Sequence, residues 1–309
     1  MCKKCESNPV YILDNGKKLC NSHFTRYYEK KVFRTIAKYS LLEKGDKIAV
    51  AASGGKDSTT LLYILKKFCK ERRFCKVEAL AIDEGIKGYR DKSLSDLKKF
   101  CKKNKIKLHV FSFKKEFGFS LDEILIKARK KKIKLNSCYI CGILRRYLIN
   151  KYARKLKFTK LATGHNLDDE AQTIIMNQFK GNVALSANLG PKTGTSEDES
   201  FAQRIKPLYL CTEKENMIYS FIHNIVPHYT ECPYQESYRF TIRDFLNKFE
   251  AKNPGIKNSI VKSFLEFLPL LKKKYKDKKT LKKCKKCKEP SSKDTCKTCE
   301  LLAILKNKK

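Results

Sequence analysis

Apolar runs alternate with helix-like segments along the middle of the chain. Short runs typical of buried strands cover residues 47–52, 77–83, 108–113 and 158–163. Residues 59–68 follow the first run, and Leu61, Leu62 and Leu65 recur there at helical spacing. A further helix is expected after the fourth run, with Thr173, Ile174, Ile175 and Phe179. This alternation predicts an α/β fold: a Rossmann-like parallel sheet with ligands at the carboxyl ends of its strands.

The remaining segments are more polar. Residues 181–200 are rich in Gly, Ser and Asn, which indicates either a lid over the ligand crevice or an ordinary surface loop. Residues 240–249 and 260–271 have the pattern of amphipathic helices. Because no run of about 18 apolar residues occurs and the first residues lack an apolar signal core, we expect a soluble cytoplasmic protein without a membrane partner.

The net charge is large and positive. Sixty-nine basic residues face 32 acidic ones, which gives +37 on 309 residues. A polyanionic partner such as nucleic acid explains this excess, because each neutralised phosphate releases counterions. Residues 272–309 contain sixteen lysines and four acidic residues, so this segment is either an arm that contacts phosphates or a solvated tail.

Two groups of residues have metal-ligand spacing, and fourteen cysteines without secretory features argue against a disulfide framework. We expect one structural Zn²⁺ at each group. The first group, with a hairpin turn predicted at residues 14–16, is Cys2, Cys5, Cys20 and His23. The second group is Cys284, Cys287, Cys296 and Cys299.

A third cysteine group is less specific. Cys138 and Cys141 form a C-x2-C pair, and Cys232 lies far along the chain. The residues alone leave three readings open: an iron–sulfur cluster with one iron free of protein ligands, a zinc site or a redox pair. The other cysteines lie in apolar or mixed stretches and are expected to be buried and inert: Cys69, Cys75, Cys101 and Cys211.

A glycine turn joins the first strand to the first helix. Residues 53–58 read S-G-G-K-D-S. Gly54 and Gly55 let backbone N–H groups approach a phosphate, and the helix N-terminus favours an anion there. Asp57 would repel bare phosphate, so it indicates a bridging Mg²⁺. The segment resembles the PP-loop of the ATP pyrophosphatase superfamily, whose members cleave ATP between the α and β phosphates.

Acidic residues follow two of the other strands. Asp83 ends the second strand, where a nucleotide ribose or base would be met. Residues 164–170 read G-H-N-L-D-D-E after the fourth strand, which should place them opposite the phosphate loop. Their acidic side chains indicate a functional site, although carboxylates at a helix start also act as simple caps.

Taken in order, these motifs resemble one family. Residues 53–58, the C-Y-I-C-G run at 138–142, residues 164–170 and the E-C-P-Y run at 231–234 occur between two zinc-knuckle pairs. The whole chain is similar to the TtuA-like family of tRNA uridine 2-thiolation proteins, which includes wobble-uridine enzymes. The resemblance implies three modules: residues 1–30 and 272–309 as zinc modules, and residues 31–271 as the PP-loop catalytic domain.

The resemblance also implies roles for individual residues. Asp57 and Asp169 hold Mg²⁺ or assist adenylation, and Arg145 lies near the phosphates. Cys138, Cys141 and Cys232 bind a cluster of the 4Fe-4S type. Together with Asp57, Asp169 and Arg145, these cysteines are the implied catalytic residues. The ATP-binding residues are Ala52, Ser53, Gly54, Gly55, Lys56, Asp57, Ser58, Asp83, Arg145, Gly164 and Asp169.

The implied reaction adenylates the 2-oxygen of a tRNA uridine and replaces it with sulfur. The sulfur donor is a ubiquitin-like thiocarboxylate carrier or sulfide, and a homodimer is expected. Arg145 followed by Arg146 favours wobble position 34 over position 54. Two alternatives remain: a PP-loop ligase that uses an amine nucleophile on tRNA, and a zinc-ribbon RNA-binding protein without activity.

Overall fold

The computed structural model describes residues 1–2, 5–13, 15–132, 136–194, 202–225, 231–234, 238–275 and 282–306. Its strands are β1 (Tyr11–Ile12), β2 (Lys18–Leu19), β3 (Lys47–Ala51), β4 (Lys76–Asp83), β5 (Leu108–Ser112), β6 (Lys160–Ala162), β7 (Lys192–Thr193), β8 (Gln203–Ile205), β9 (Lys282–Lys283) and β10 (Pro290–Ser291). Its helices are α1 (Asn21–Lys38), α2 (Lys56–Arg72), α3 (Arg90–Lys103), α4 (Phe113–Phe117), α5 (Leu121–Lys130), α6 (Ser137–Lys155), α7 (Leu167–Phe179), α8 (Val183–Ser186), α9 (Glu213–Ile222), α10 (Tyr238–Lys252), α11 (Ile256–Tyr275) and α12 (Lys297–Lys306). None of the helices in these ranges combines the length and the apolar character that a membrane span needs.

The central sheet has the strand order β5-β4-β3-β6-β8-β7. All neighbouring pairs are parallel except β7 with β8, which is antiparallel. The four strands expected from apolar runs are β3, β4, β5 and β6, so the Rossmann-like α/β fold is confirmed. The edge hairpin of β7 and β8 was not predicted, because both strands are short and contain polar residues such as Gln203 and Arg204.

Helices cover both faces of this sheet. Within β3, Ile48 and Val50 enter one hydrophobic core, whereas Ala49 enters a second core on the opposite face. The first core packs the sheet against α1, α2, α3 and α9. The second packs it against α4, α5, α6 and α12. Alternation of side chains along each strand thus places α2 and α6 on opposite faces.

A third core lies beyond the sheet. It joins α7 to the two predicted amphipathic helices, α10 and α11, through residues such as Ile174, Leu246 and Phe264. The segment expected to be a loop at 181–200 contains α8 and β7, and its residues 195–200 lie outside the described ranges. The expectation of an irregular loop is therefore wrong for part of the segment, since β7 extends the sheet.

The two terminal modules dock on opposite faces of the sheet. Phe24 and Tyr28 of α1 belong to the first core, and Leu301 and Leu305 of α12 belong to the second. β1 and β2 form the hairpin around residues 15–16, although residue 14 of the predicted turn lies outside the described ranges. Helix α1 spans the expected boundary at residue 30, and α11 spans the one at residue 271, so the three-module division remains a prediction.

Two of the four remaining cysteines differ from expectation. Cys69 at the end of α2 and Cys75 before β4 are joined in a disulfide, so they are not separate inert thiols. No sequence pattern predicted this bond, because it depends on how the chain turns between α2 and β4. Cys101 and Cys211 are buried and free, as predicted.

The carboxyl end of β6 lies directly against the start of α2. A Cβ atom on Gly164 would lie 2.8 Å from the backbone nitrogen of Ser58 and 2.9 Å from the carbonyl carbon of Asp57. Only glycine lets these two backbones approach so closely. The contact brings residues 164–169 beside the loop of residues 53–58.

We expect Gly164→Ala to destabilise the protein by about 1–3 kcal/mol, because the added methyl group meets rigid backbone rather than a mobile side chain. The measurement is the free energy of unfolding in urea. Gly142→Ala is the matched control, since its Cβ would meet only the movable guanidinium of Arg146, at 3.4 Å. Helix propensity should leave that control equally stable or more stable by about 0.5–1 kcal/mol. Equal stability of Gly164→Ala and the wild type would contradict the close-approach argument.

Candidate active site and metal centres

The loop of residues 53–58 has the geometry of an anion site. Gly54 has a φ of +84°, and a Cβ there would lie 2.5 Å from the carbonyl oxygen of Ser93. The Ser58 hydroxyl accepts a hydrogen bond from the Ser53 backbone nitrogen at 3.2 Å and donates to the Gly55 carbonyl at 3.1 Å. These bonds fix the turn at the N-terminus of α2, where free amides and the helix dipole favour phosphate.

Asp57 is held by two amide side chains. The Asn216 amide donates to Asp57 Oδ1 at 2.7 Å, and the Asn166 amide lies 3.4 Å from the same oxygen. Asp57 Oδ2 is 3.2 Å from the ammonium of Lys56, which also contacts Glu213 at 2.6 Å. Burial lowers the pKa of Lys56, but the two carboxylates more than offset this and raise that pKa. Lys56 therefore carries its charge beside the phosphate loop.

The adjacent carboxylates of Asp168 and Asp169 occupy different surroundings. Asp168 forms a buried ion pair with Lys257 at 2.6 Å and accepts the backbone N–H of Glu213 at 2.7 Å. Those bonds fasten α7 to α9 and α11. Asp169 is 32% exposed and lies 3.4 Å from Arg239. Asp169 thus faces the crevice, whereas Asp168 is a structural residue.

Burial raises the pKa of Asp169 to about 6, and the negative charge of Asp57 adds to this shift, while Arg239 opposes it. Mutual repulsion between Asp57 and Asp169 is the electrostatic setting in which a divalent cation is bound between two carboxylates. The described residues around this pair therefore fit Mg²⁺.

His165 lies in the loop between β6 and α7, and its side chain is exposed. Partial desolvation and the positive charges of Lys206 and Arg239 lower its pKa. Its Nδ1 lies 2.9 Å from the Thr163 hydroxyl. The imidazole is therefore a candidate hydrogen-bonding group beside the phosphate loop.

Glu84 connects the phosphate loop to the third cysteine group. This buried carboxylate lies 2.9 Å from Nε of Arg90 and 3.6 Å from a guanidinium nitrogen of Arg145. Arg90 also donates to the Ser53 carbonyl. Burial opposes the charge of Arg145, but the neighbouring Cys141 and Glu84 together raise the pKa of Arg145. A cation is thereby held between the loop and Cys141.

The predicted nucleotide residues Ala52 and Asp83 lie at the same sheet edge. Ala52 is buried at the end of β3, and its backbone nitrogen donates to the Leu80 carbonyl. Asp83 ends β4, and its Oδ1 accepts the Gly85 backbone N–H at 2.9 Å. Within the described ranges, no protein group donates a hydrogen bond to Asp83 Oδ2, which leaves a carboxylate oxygen at the edge for a ligand.

Cys138, Cys141 and Cys232 lie together at the N-terminus of α6. Cys138 Sγ is 3.5 Å from the Tyr234 carbonyl, which ties the segment of residues 231–234 to the helix. Burial raises the pKa of Cys141 to about 12, and the charges of Cys232 and Cys138 contribute to the shift. All three thiols are free of disulfides.

The spacing of these thiols differs from that of the terminal groups. Among the described residues, two groups have ligand atoms that all lie within 4.8 Å of one another, and both are terminal: Cys2, Cys5, Cys20 and His23, and Cys284, Cys287, Cys296 and Cys299. Such spacing suits a single tetrahedral ion, since Zn–S bonds are about 2.3 Å. The central trio is wider, which fits a polynuclear cluster better than one ion.

The N-terminal group is preorganised for a cation. Cys20 Sγ lies 3.2 Å from His23 Nδ1 and 3.3 Å from Cys5 Sγ. A hydrogen bond from Ser22 and one from the His23 backbone lower the pKa of Cys20 to about 5. The site therefore contains a thiolate at neutral pH, which is the form that binds metal.

The C-terminal group has the same character and is attached to α6. Cys284 Sγ accepts the Cys296 backbone N–H at 3.3 Å. Burial opposes ionisation of Cys284, but this bond and others from the backbone lower its pKa to about 6. Glu289 forms an ion pair with Arg154 of α6, so the module is joined to the helix that bears Cys138 and Cys141.

Sequence reasoning missed the residues that hold Asp57 and Asp169. Glu213 and Asn216 lie on α9, whose only sequence signal is a capping box formed by Thr212 and Glu215. Arg239, near the start of α10, carries no motif at all. Tyr28 of α1 was also missed; it is buried and donates to Asn216.

The chain matches known proteins over most of its length. The family model described as a PP-loop domain matches residues 24–249. The chain is 37% identical over 279 residues to the tRNA-5-methyluridine(54) 2-sulfurtransferase of Pyrococcus horikoshii, covering 89% of this chain and 85% of that protein. It is 35% identical over 289 residues to the tRNA 2-thiolation protein NcsA of Haloferax volcanii, covering 89% of each.

A solved structure is similar over the full chain. It is the U34-tRNA thiolase NcsA from Methanococcus maripaludis with its 4Fe-4S cluster, at 30% identity and a TM-score of 0.81, covering 100% of this chain and 97% of that one. The fold and the loop of residues 53–58 therefore define a PP-loop nucleotide-binding protein. Within this class, the chain belongs to the tRNA 2-thiolation family.

Asp168→Asn should lower the free energy of unfolding by about 3–5 kcal/mol, because it removes the partner of the buried Lys257 charge. The neighbouring Asp169→Asn is the matched control and should lose no stability, because burial already disfavours the ionised Asp169 carboxylate at this pH. Urea unfolding at pH 7.5, without Mg²⁺ or ATP, measures both. Similar losses in the two variants would contradict the division of roles.

The difference in stability between the wild type and Asp169→Asn should depend on pH. Because the folded pKa of Asp169 is about 6 and the reference value is 3.8, protonation favours the folded state. The wild type should gain stability relative to Asp169→Asn as pH falls through 6, and should lose that gain as pH rises above 6. A pH-independent difference would contradict the raised pKa.

Proposed function

We propose that this protein is an ATP-dependent tRNA uridine 2-thiolase that acts in the cytoplasm. One observation carries the proposal: Glu84 holds Arg145 beside Cys141 and holds Arg90 against Ser53, so the phosphate loop and the three cysteines form one continuous site. The relatives named as tRNA thiolases and the cytoplasmic 2-thiolation protein of Saccharomyces cerevisiae, 36% identical over 280 residues, support it.

ATP would bind at the carboxyl edge of the sheet. Backbone amides of residues 53–55, the Ser58 hydroxyl and Lys56 would contact the phosphates. Ala52, Asp83 and Gly164 would line the nucleoside, and Asp57 with Asp169 would hold Mg²⁺. The lack of a side chain at Gly164 lets the two loops lie against each other at this edge.

Arg145 would stabilise charge that develops during adenylation. The 2-oxygen of uridine attacks the α-phosphorus, the bond to the β-phosphate oxygen breaks, and pyrophosphate leaves. Lys56 and Arg145 would offset the negative charge in that step, which is how phosphoryl-transfer enzymes act, and a Mg²⁺ ion held by Asp57 and Asp169 would supply further positive charge. Sulfur then bonds to C2 and the C2–oxygen bond breaks, so AMP leaves with the former carbonyl oxygen.

The cluster would be held by Cys138, Cys141 and Cys232. When bound, it supplies an iron without a protein ligand at which a hydrosulfide can be presented. Cys141 and Cys232 are partly buried and pack against the second core, whereas Cys138 is exposed, so access of water is limited on one side of the three cysteines. This shielding protects an adenylated base from hydrolysis.

The remaining assignments complete the proposal. Two Zn²⁺ ions would stabilise the terminal modules, and the lysine-rich segment 272–309 would contact tRNA. The sulfur source would be a ubiquitin-like thiocarboxylate carrier or sulfide, and the protein would be a homodimer. Position 34 is preferred over position 54, because Arg145 stands where a lysine is expected in position-54 enzymes and because the structural relative is named a U34 thiolase.

The test is anaerobic incubation of the iron-reconstituted protein with unmodified tRNA, ATP, Mg²⁺ and sulfide, followed by nucleoside mass spectrometry. We expect 2-thiouridine, mapped by nuclease fragments to position 34. Product at position 54 would contradict the proposed modification of position 34. An ATP- and cluster-loaded protein that makes no thiolated nucleoside with sulfide or with a thiocarboxylated carrier would overturn the function and favour an amine-using ligase.

Cys141→Ala should abolish thiolation, with product below about 1% of wild type, because it removes one of three cluster ligands. Affinity for tRNA should stay within about twofold, since a half-buried thiol makes no phosphate contact. Filter binding measures affinity, and Cys101→Ala, a buried cysteine on α3, is the control. An equal loss of tRNA affinity and product in Cys141→Ala would contradict the cluster role.

A further inference from the structure

One face of α6 presents a row of residues that the proposed chemistry does not use. Tyr139, Gly142, Arg146 and Asn150 follow one another at intervals of three or four residues, so they share one side of the helix. Tyr139 is 47% exposed although it lies between two of the cluster cysteines. The guanidinium of Arg146 lies over Gly142, where a Cβ would be 3.4 Å from it.

A second arginine reaches this row from the sheet. Arg204 lies on β8 opposite Leu161 of β6, and its guanidinium donates to Asn150 Oδ1 at 2.9 Å. Burial lowers the pKa of Arg204, and the positive charge of Arg146 lowers it further. The two guanidinium groups are therefore close enough to repel each other.

The other cations around the crevice are neutralised by carboxylates. Lys56 pairs with Glu213, Lys206 with Glu170, Arg239 with Asp169, Lys257 with Asp168 and Arg145 with Glu84. Within the described ranges, Arg146 and Arg204 form no salt bridge, and the one bond from Arg204 goes to a neutral amide. Two adjacent uncompensated arginines are a site for an external anion.

We propose that Arg146 and Arg204 clamp backbone phosphates of the RNA strand that carries the target uridine, while a flanking base stacks on Tyr139. The proposal rests on the proposed function and names the tRNA contact of that site. Guanidinium groups bind phosphate through paired donors, and an exposed aromatic ring beside them provides a stacking surface for single-stranded bases.

The position of this clamp favours RNA over the ATP phosphates. The anion site for ATP, at the N-terminus of α2, already has Lys56 and Arg145. Tyr139 lies between Cys138 and Cys141, so a base stacked there is next to the site of sulfur transfer. The chain's net charge of +37 matches a polyanion rather than a small neutral ligand.

The test measures the affinity of full-length protein for an unmodified tRNA transcript as a function of salt. The double variant Arg146→Ala/Arg204→Ala should bind at least about tenfold more weakly, and the slope of log K against log salt should fall by about 1.4–1.8, for two lost phosphate contacts. Tyr139→Ala should weaken binding by roughly tenfold and leave that slope unchanged, because stacking carries no charge.

Matched controls separate this clamp from general loss of charge or folding. Lys98→Ala/Lys99→Ala removes two exposed charges from α3, on the opposite face of the sheet, and should keep the wild-type affinity to within about threefold. Arg146→Lys/Arg204→Lys keeps both charges, so it should retain the salt slope while losing part of the affinity. ATP affinity and the absorption of the reconstituted cluster should be unchanged in every variant.

Each outcome distinguishes the two proposals. Wild-type tRNA affinity and slope in the double alanine variant would overturn the clamp and leave the thiolase function intact. Loss of ATP affinity with unchanged tRNA affinity would reassign both arginines to the nucleotide. A wild-type protein that binds no tRNA, despite loaded ATP and cluster sites, would overturn the function and the clamp together.

Discussion

The close approach of two backbones at Gly164 and Ser58 is the constraint on which the whole site depends. Parallel pairing of β3 with β6 brings their carboxyl ends to the same edge, but pairing alone leaves room for side chains between the loops. Because Gly164 has no side chain, its backbone packs directly against the backbone of Asp57 and Ser58. As a result, Asp57 and Asp169 interact electrostatically although they are far apart in sequence, and the candidate cation site lies between two loops instead of within one.

The terminal modules support the carboxyl edge of the sheet through contacts on both of its faces. On one face, Tyr28 of α1 donates to Asn216, and Asn216 donates to Asp57, so a helix that begins at the N-terminal metal group supports the phosphate loop. On the other face, α12 packs on α6, and Glu289 pairs with Arg154. Metal ions at the terminal groups would therefore act on the chemistry indirectly, since they would stabilise the helices that position Asp57, Cys138 and Cys141.

Sequence patterns predicted the parts of the fold that depend on local order. Long apolar runs predicted β3 to β6, and paired spacing predicted the two terminal groups whose possible ligand atoms lie close together in the structure. Contacts between distant segments were not predictable. Whether Asp168 or Asp169 faces the crevice depends on Lys257, which lies 89 residues away from Asp168. The short polar strand β8 had no pattern of its own, and Arg204 had no visible role until β8 was paired with β6.

Some cations at the site have carboxylate partners and others do not, and this difference follows from the ligand that each cation would contact. In the proposed reaction, Arg145 and Lys56 would act on an ATP molecule that binds and leaves, and the carboxylates that pair with them keep their geometry in the free protein. Arg146 and Arg204 have no such partner among the described residues, and their mutual repulsion raises the free energy of the unbound state. An RNA phosphate relieves that repulsion on binding. The cations with carboxylate partners therefore preorganise the chemistry. Arg146 and Arg204, which lack such partners among the described residues, give the site its preference for a polyanionic substrate.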